Sequence, residues 1–154
     1  MGIEEDIKQG KAFHSPHEKL IVNIMFTNSW MLDQQNKLFK PFQLSSPQYN
    51  VLRILRGSYP KACTINSIID RMIDRMSNAS RIVDRLETKG YVERKVNKDD
   101  RRARDVIITA RGLNILEEVD KVLDAWVKSL SVVNGAEVEQ ANTVLDALRG
   151  ATKG

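Results

Sequence analysis

Basic residues concentrate in one quarter of the chain. The 154-residue sequence carries 24 basic and 20 acidic residues, a net charge of +4. Residues 75–111 hold 11 basic and 6 acidic residues, whereas residues 1–74 hold 9 and 7, and residues 112–154 hold 4 and 7. A cationic field confined to one segment favours a polyanion as the binding partner.

Polar residues in this segment are spaced to share the outer face of one helix. Between about Arg75 and Lys89 the apolar positions recur three, one and three residues apart, which gives a single inner face. The inner positions are Ala79, Ile82, Val83 and Leu86. The outer positions are Ser77, Asn78, Ser80, Arg81, Asp84, Arg85 and Thr88. A short helix with such an outer face suits a helix-turn-helix, although an ordinary helical pair with a solvated face is the alternative.

A charged hairpin follows this helix. Residues 91–96 alternate with period two and residues 104–108 are rich in β-branched side chains, so both are predicted strands. The tip between them carries Arg101 and Arg102. A helix-turn-helix followed by such a hairpin is a winged helix, and a tip arginine can enter the narrow minor groove of DNA. We expect Asp99 or Asp100 to orient an arginine through a bidentate ion pair.

Catalytic and metal-binding chemistry finds little support. One cysteine, Cys63, with His14 and His17 excludes a disulfide framework and a multi-cysteine zinc site. The glycines form no nucleotide-binding motif, HExxH is absent, and adjacent carboxylates such as Glu117-Glu118 are typical of solvated surface. We therefore expect neither an enzyme nor a cofactor, and we interpret Cys63 as an inert thiol.

Helices are predicted on both sides of the charged segment. A long one runs from about Pro16 to Lys40, capped by Ser15 with Glu18 reaching back, after a short helix near Ile3 and Ile7. Further helices are predicted at about 47–57 after a Ser46 cap, from Thr64 to about Met72, at about 110–131 after a Thr109 cap, and at 136–149. The long first helix is apolar on more than one face, which predicts two apolar neighbours, one of them a second chain.

The fold class is mainly α with a small β-hairpin wing. It is a winged helix-turn-helix whose N- and C-terminal helices form a dimerisation lobe. The predicted division is 1–42 for the N-terminal dimerisation helices, 43–109 for the DNA-binding lobe and 110–154 for the C-terminal dimerisation helices. Two-fold pairing would present two reading helices to DNA about one helical turn, or roughly 10 bp, apart.

The run from Ser77 to Gly112 resembles the signature of the MarR (multiple antibiotic resistance regulator) family of bacterial transcription factors. The matching parts are the DRLETKG run at 84–90, Arg94, the DRR run at 100–102 and the ITARG run at 108–112. Residues 44–52 are similar to the second helix of the family. The turn at 73–76 departs from the leucine-serine of the family, so the start of the reading helix is expected to shift by about a residue.

The resemblance implies a homodimeric regulator, usually a repressor, that binds a palindromic operator in double-stranded DNA, and the sequence does not distinguish repression from activation. The predicted DNA-binding residues are Ser77, Asn78, Ser80, Arg81, Arg85, Lys98, Asp100, Arg101, Arg102 and Arg104. Arg81 is expected to pair with guanine and Asn78 with adenine. Arg102, positioned by Asp100, is expected in the minor groove. The alternative is a winged-helix module that binds proteins without sequence-specific DNA binding.

The resemblance also implies a small-molecule effector. The candidate lining residues are aromatic: Phe26, Trp30, Phe39 and Tyr49. Aromatic residues on apolar helices are also typical of plain core, and that alternative stays open. The N-terminus has no signal-peptide pattern and no stretch is apolar enough to span a bilayer, so we expect a cytoplasmic protein without membrane contact.

Overall fold

The computed structural model describes residues 2–151 of the chain. It is mainly helical with one two-stranded antiparallel sheet, and the predicted fold class is confirmed. Two 3₁₀ turns lie at Lys40–Phe42 and Leu130–Val132. The elements are α1 (Ile3–Asp6), α2 (Pro16–Phe39), α3 (Ser46–Ser58), α4 (Ile65–Arg71), α5 (Ala79–Thr88), β1 (Val92–Val96), β2 (Arg104–Ile108), α6 (Ala110–Ser129) and α7 (Gly135–Gly150).

Helix α2 begins as its sequence predicts, with one difference. The Ser15 hydroxyl accepts a hydrogen bond from the amide of Glu18 at 3.1 Å, and Pro16 occupies the first turn. The Glu18 carboxylate, however, accepts from the amide of His14 at 2.6 Å and from the His14 ring at 3.0 Å, instead of reaching back to Ser15. The His14 amide and then its ring lower the pKa of Glu18.

The start of α3 corrects the predicted cap. Ser45, and not Ser46, caps the helix, because Gln48 stands three residues beyond Ser45 and completes a reciprocal pair. The Gln48 amide donates to the Ser45 hydroxyl at 3.3 Å, and the Ser45 amide donates to the Gln48 side chain at 3.1 Å. Helix α4 begins as predicted, with Thr64 accepting from the amide of Ser67 at 3.0 Å.

Helix α5 starts four residues later than the sequence pattern predicts. The Asp74 carboxylate accepts from the Met76 amide at 3.0 Å and from the Ser77 hydroxyl at 2.8 Å, which holds this stretch in a turn. Asn78 then caps the helix by accepting from the Arg81 amide at 3.0 Å. Polar side chains that bind their own backbone compete with helix formation here.

Helices α3, α4 and α5 and the hairpin enclose one apolar core. Its fully buried side chains between residues 44 and 108 are Val51, Leu52, Leu55, Ile68, Val83, Leu86, Val92 and Val106. Cys63 exchanges both backbone hydrogen bonds with Val106, at 2.8 and 2.7 Å, and so attaches the chain before α4 to β2. In the hairpin, Val92 pairs with Ile108 and Val96 with Arg104.

The step from β2 into α6 explains the glycine of the ITARG run. Thr109 donates from its amide to the Tyr91 carbonyl at 3.0 Å and from its hydroxyl to the Gly90 carbonyl at 2.7 Å. A Cβ on the buried Gly112 would lie 2.3 Å from the Tyr91 carbonyl oxygen. The first turn of α6 therefore packs against the start of β1 only because residue 112 has no side chain.

The chain divides into two compact units, residues 1–116 and 117–154. The second unit holds the remainder of α6 and α7, which Asn134 caps by accepting from the Glu137 amide at 3.0 Å. Among the residues described from Glu117 on, Val119 is the buried apolar side chain. The division at residues 42 and 109 stays a prediction. None of the described helices combines the length and apolarity that crossing a membrane requires.

Candidate nucleic-acid interface

The two faces of α5 lie as the spacing predicts. Ala79, Val83 and Leu86 are buried, and Ile82 is half-buried. The exposed predicted residues are Asn78, Ser80, Arg81, Asp84, Arg85 and Thr88, while Ser77 is half-buried. The inner face thus anchors the helix to the core, and its polar face is free to meet a partner.

Asn78, a predicted DNA-binding residue, is also the N-cap of α5. Its side-chain oxygen accepts the hydrogen bond of the Arg81 amide, which fixes the orientation of the side chain. An amide oxygen has two lone pairs, so one acceptor position and the amide N–H donors remain available to a base. Capping therefore limits how Asn78 can turn but leaves the atoms needed for adenine.

Arg94 forms ion pairs with two acidic residues of α5. From β1 its guanidinium reaches Asp84 at 2.5 Å and Glu87 at 2.6 Å. Partial burial disfavours the charge of Arg94, but the hydrogen bonds to Asp84 and Glu87 outweigh it and raise its pKa. Arg94 offsets one of the two acidic charges, so Arg81 and Arg85 leave the outer face of the helix with a net positive charge.

A groove runs between the head of α3 and the outer face of α5. Its volume is about 310 Å³. It is lined by Ser45, Pro47, Gln48, Ser77, Asn78, Arg81, Ile82 and Arg85. The Lys89 ammonium donates to the Gln43 carbonyl and, at 3.4 Å, to the Gln48 side chain, and so ties the end of α5 to the turn before α3. These hydrogen bonds hold the two sides of the groove in a fixed position.

The wing presents its cations to solvent. Lys98, Arg101, Arg102 and Arg104 are all exposed. Asp100 does not orient a guanidinium: its carboxylate accepts from the backbone amide of Arg102 at 2.9 Å. The expected bidentate pair is wrong, because a short aspartate side chain easily reaches the amide two residues ahead. Within residues 2–151, neither Asp99 nor Asp100 forms an ion pair with an arginine.

The sequence pattern does not predict the surroundings of several residues next to α5. Ile73 and Met76, in the loop before α5, are 89% and 94% exposed, although apolar side chains are ordinarily assigned to the core. The Ile73 amide donates to the Asn50 side chain at 2.9 Å, which attaches this loop to α3. The ion pairs of Arg94 were also missed, because they depend on contact between β1 and α5. The sequence signal that could have indicated these ion pairs is the presence of Asp84 and Glu87 three residues apart.

The four aromatic residues predicted to line an effector pocket do not lie together. Phe39 and Tyr49 are buried and pack with ring centroids 4.7 Å apart, so they belong to the core. Phe26 and Trp30 are 40% and 42% exposed on α2. Phe26 precedes Phe39 by thirteen residues, about 20 Å along a helix. Whether any of them lines an effector pocket stays a prediction.

An open cleft of about 570 Å³ lies elsewhere in the first unit. It is lined by residues 57–64 and Ser67, and so by none of the four aromatic residues. Cys63 contributes to its wall but is itself buried. Groups of three or more His, Cys, Asp or Glu side chains able to hold a metal ion do not occur in the part of the chain that the structure describes.

Known proteins share both the sequence and the fold. Residues 44–103 match the model of the MarR family. The transcriptional repressor MprA of Escherichia coli is 26% identical over 121 residues, which cover 76% of this chain and 69% of MprA. The organohalide-sensing regulator RdhR, solved with 2,4-dichlorophenol bound, is 17% identical with a TM-score of 0.81, covering 94% of this chain and 87% of RdhR.

A third relative is solved with DNA. The MepR–DNA complex of S. aureus is 21% identical with a TM-score of 0.74, covering 84% of this chain and 96% of MepR. The match over 44–103 spans α3–α5, β1 and the tip of the wing and ends before β2, so it includes the paired acids, Arg81, Arg85 and the arginines of the tip. The chain thus has the winged-helix fold of MarR-type structures, and the matched segment, which is less than half of its length, is similar to the MarR family.

Proposed function

We propose that the chain binds a palindromic operator as a homodimer and represses transcription. Helix α5 enters the major groove and the tip of the wing enters the adjacent minor groove. The observation that carries this proposal is the charge arrangement: Arg94 pairs both acids of α5, while Arg81, Arg85 and the wing cations stay exposed. The DNA-bound state of MepR, a protein of the same fold, supports it.

Each exposed residue of α5 has a distinct role in this proposal. Arg81 donates two hydrogen bonds to a guanine edge, and Asn78 pairs with adenine through its remaining acceptor and donors. Ser77 and Ser80 contact bases or phosphates close to the helix head. Arg85, one turn beyond Arg81, contacts the phosphate backbone.

The wing contributes a second, shape-dependent contact. Arg102 enters the minor groove, where the phosphates of both strands deepen the negative potential. Asp100 assists by holding the Arg102 amide. Lys98, Arg101 and Arg104 contact phosphates and add affinity that depends on salt but little on sequence.

Met76 extends the reading surface with an apolar side chain. It stands two residues before the Asn78 cap and is almost fully exposed. The C5 methyl group of thymine is the apolar feature of the major groove, and side chains that contact it exclude water from both. Met76 therefore favours thymine next to the bases that Asn78 and Arg81 contact.

A second copy of the chain covers the exposed apolar residues of the N- and C-terminal helices. On α2 these include Ile21, Met25, Met31 and Leu32. On α7 they are Val138, Val144 and Leu148. Contiguous apolar surface on a helix marks a protein contact, and two-fold pairing matches a palindromic site. Residues 1–42 and 110–154 are the proposed dimerisation segments.

A small aromatic molecule is the proposed effector. RdhR is solved with 2,4-dichlorophenol, and Phe26 and Trp30 remain the exposed candidates here for stacking such a ring. We expect a phenolic ligand to raise the melting temperature of the wild-type protein and to change its affinity for DNA. In the double variant F26A/W30A, binding through these rings should be lost.

We also propose that the protein acts in the cytoplasm, where it meets the DNA that it regulates.

The DNA proposal is tested by enriching duplexes from a random library with the purified protein. We expect a palindromic consensus, retardation that weakens steeply with salt, and repression of a reporter that carries the site. The variant R81A/R102A should lose retardation, whereas R53A/K61A, which removes two exposed cations outside residues 75–111 and outside the dimerisation segments, should keep it. Failure to enrich any consensus would instead favour the protein-interaction module.

A further inference from the structure

One side chain organises the tip of the wing. The amide nitrogen of Asn97 donates to both carboxylate oxygens of Asp105, each at 3.0 Å. Its oxygen accepts from the amides of Asp99 at 2.8 Å and Asp100 at 3.0 Å. Asn97 and Asp105 are half-buried, whereas residues 98–102 are exposed. Asn97 therefore joins the base of β2 to the backbone of the exposed tip.

A further hydrogen bond carries this connection to the arginine. The Asp100 carboxylate accepts from the Arg102 amide at 2.9 Å, and the Asp100 carbonyl accepts from the Ala103 amide at 3.0 Å. The Asn97 amide closes the loop by donating to the Ala103 carbonyl at 3.2 Å. A continuous series of hydrogen bonds thus leads from Asp105 through Asn97 and Asp100 to Arg102.

We propose that Asn97 is a positioning residue for the wing arginine, an inference that rests on the proposed DNA binding. An exposed loop with no anchor samples many conformations, and binding must then offset the entropy of ordering it. Asn97 orders the loop before DNA arrives. Arg102 is therefore held close to its binding geometry in the free protein.

The chemistry of position 97 requires an amide side chain. The Asp105 carboxylate can only accept hydrogen bonds, so residue 97 must donate to it. The amides of Asp99 and Asp100 can only donate, so residue 97 must also accept. Alanine can do neither. Aspartate could accept from the loop amides, but its carboxylate would repel the carboxylate of Asp105. Exchanging the two residues, Asp at 97 and Asn at 105, restores every donor to an acceptor.

This exchange gives a test in which the net charge stays constant. N97A and the double variant N97D/D105N both carry the charge of the wild type, so their long-range attraction to DNA is the same. The probe is a duplex enriched from a random library by the wild-type protein. We expect N97A to bind it about tenfold more weakly and N97D/D105N to bind within about twofold of the wild type. N97D alone should be weaker than N97A.

Two further measurements show whether Asn97 acts through the loop and through Arg102. Hydrogen exchange at the amides of residues 99, 100 and 102 should accelerate in N97A and return to the wild-type rate in the exchanged variant. In an R102A background, N97A should have little further effect on affinity, since the arginine that it positions is gone. Thermal melting identifies any variant that unfolds globally.

The outcomes separate this inference from the proposed function. If the wild type enriches no duplex, the proposed function fails, while the exchange rates still decide whether Asn97 orders the loop. If the wild type binds and N97A binds equally well, or if N97A and R102A lower the affinity independently, Asn97 does not position the arginine. An exchanged variant as weak as N97A would equally overturn the inference.

Discussion

The segment from Leu44 to Ile108 and the segment from Glu117 to Ala151 use apolar residues in different ways. The first buries most of its apolar side chains in a core closed by α3, α4, α5 and the hairpin. In the second, Val127, Val132, Val133, Val138, Val144 and Leu148 are all exposed, and Val119 is the buried apolar residue described there. The first segment is thus built to fold by its own contacts, whereas the second has apolar surface left for another molecule.

The largest effect should come from opening the core of the first segment. Leu86 on the inner face of α5 is fully buried, so L86A should lower the free energy of unfolding by about 2–5 kcal/mol. The matched variant L148A removes the same atoms from a residue that is 36% exposed. Denaturant titration of both, over a range of protein concentrations, compares the two segments directly. Equal losses at low concentration would contradict the distinction between them.

A charge on α7 should break the second segment's contact and leave the first intact. V144D adds a carboxylate to an apolar position that is 46% exposed, and burying this charge without a partner at a dimer contact costs more than the roughly 1–3 kcal/mol of a neutral polar group. We expect sedimentation analysis to show dissociation into monomers with an unchanged helical signal in circular dichroism. N142D, which adds the same charge at a nearby exposed polar position, is the control and should stay dimeric.

Local signals predicted the elements of both segments well. Ser15, Thr64 and Thr109 cap helices where serine and threonine precede apolar periodicity. The inner and outer faces of α5 also follow directly from spacing. These features depend on residues within one or two turns of each other, so the chain alone contains the information.

The sequence-based predictions fail where one side chain can form a hydrogen bond or ion pair with more than one partner. Asp74 and Asp100 bind nearby backbone amides, which delays the start of α5 and leaves the Arg102 guanidinium without the expected aspartate. The partners of Arg94 and Asn97 depend on the packing of β1 against α5 and on the pairing of β1 with β2. Spacing along the chain cannot predict which partner is bound, because the alternative hydrogen bonds differ little in energy and depend on tertiary packing.

Removing Arg94 should lower the affinity for DNA while the first segment stays folded. In R94M the carboxylates of Asp84 and Glu87 lose their partner and stand unpaired beside the DNA backbone. We expect affinity for the enriched duplex to fall by about 1–3 kcal/mol, mainly through like-charge repulsion. Neutralising both acids in R94M/D84N/E87Q should recover most of it, as measured by fluorescence anisotropy at fixed salt. If the triple variant binds no better than R94M, the role of Arg94 is to shape the wing and not to cancel charge.

The smallest and most specific effect should distinguish α5 from the wing. R81A should flatten the base preference at one operator position, which corresponds to about 1–3 kcal/mol of discrimination, because a bidentate contact to guanine is lost. R102A should weaken binding to all sequences with the major-groove preference kept, since the minor groove distinguishes bases poorly. Competition binding against a panel of single-base operator variants measures both. A uniform loss in R81A would reduce Arg81 to a phosphate contact, and unchanged affinity in R102A would remove the wing arginine from the interface. V144D at concentrations where it is monomeric should keep the base preference within one half-site, because the residues that read it all lie in the first segment.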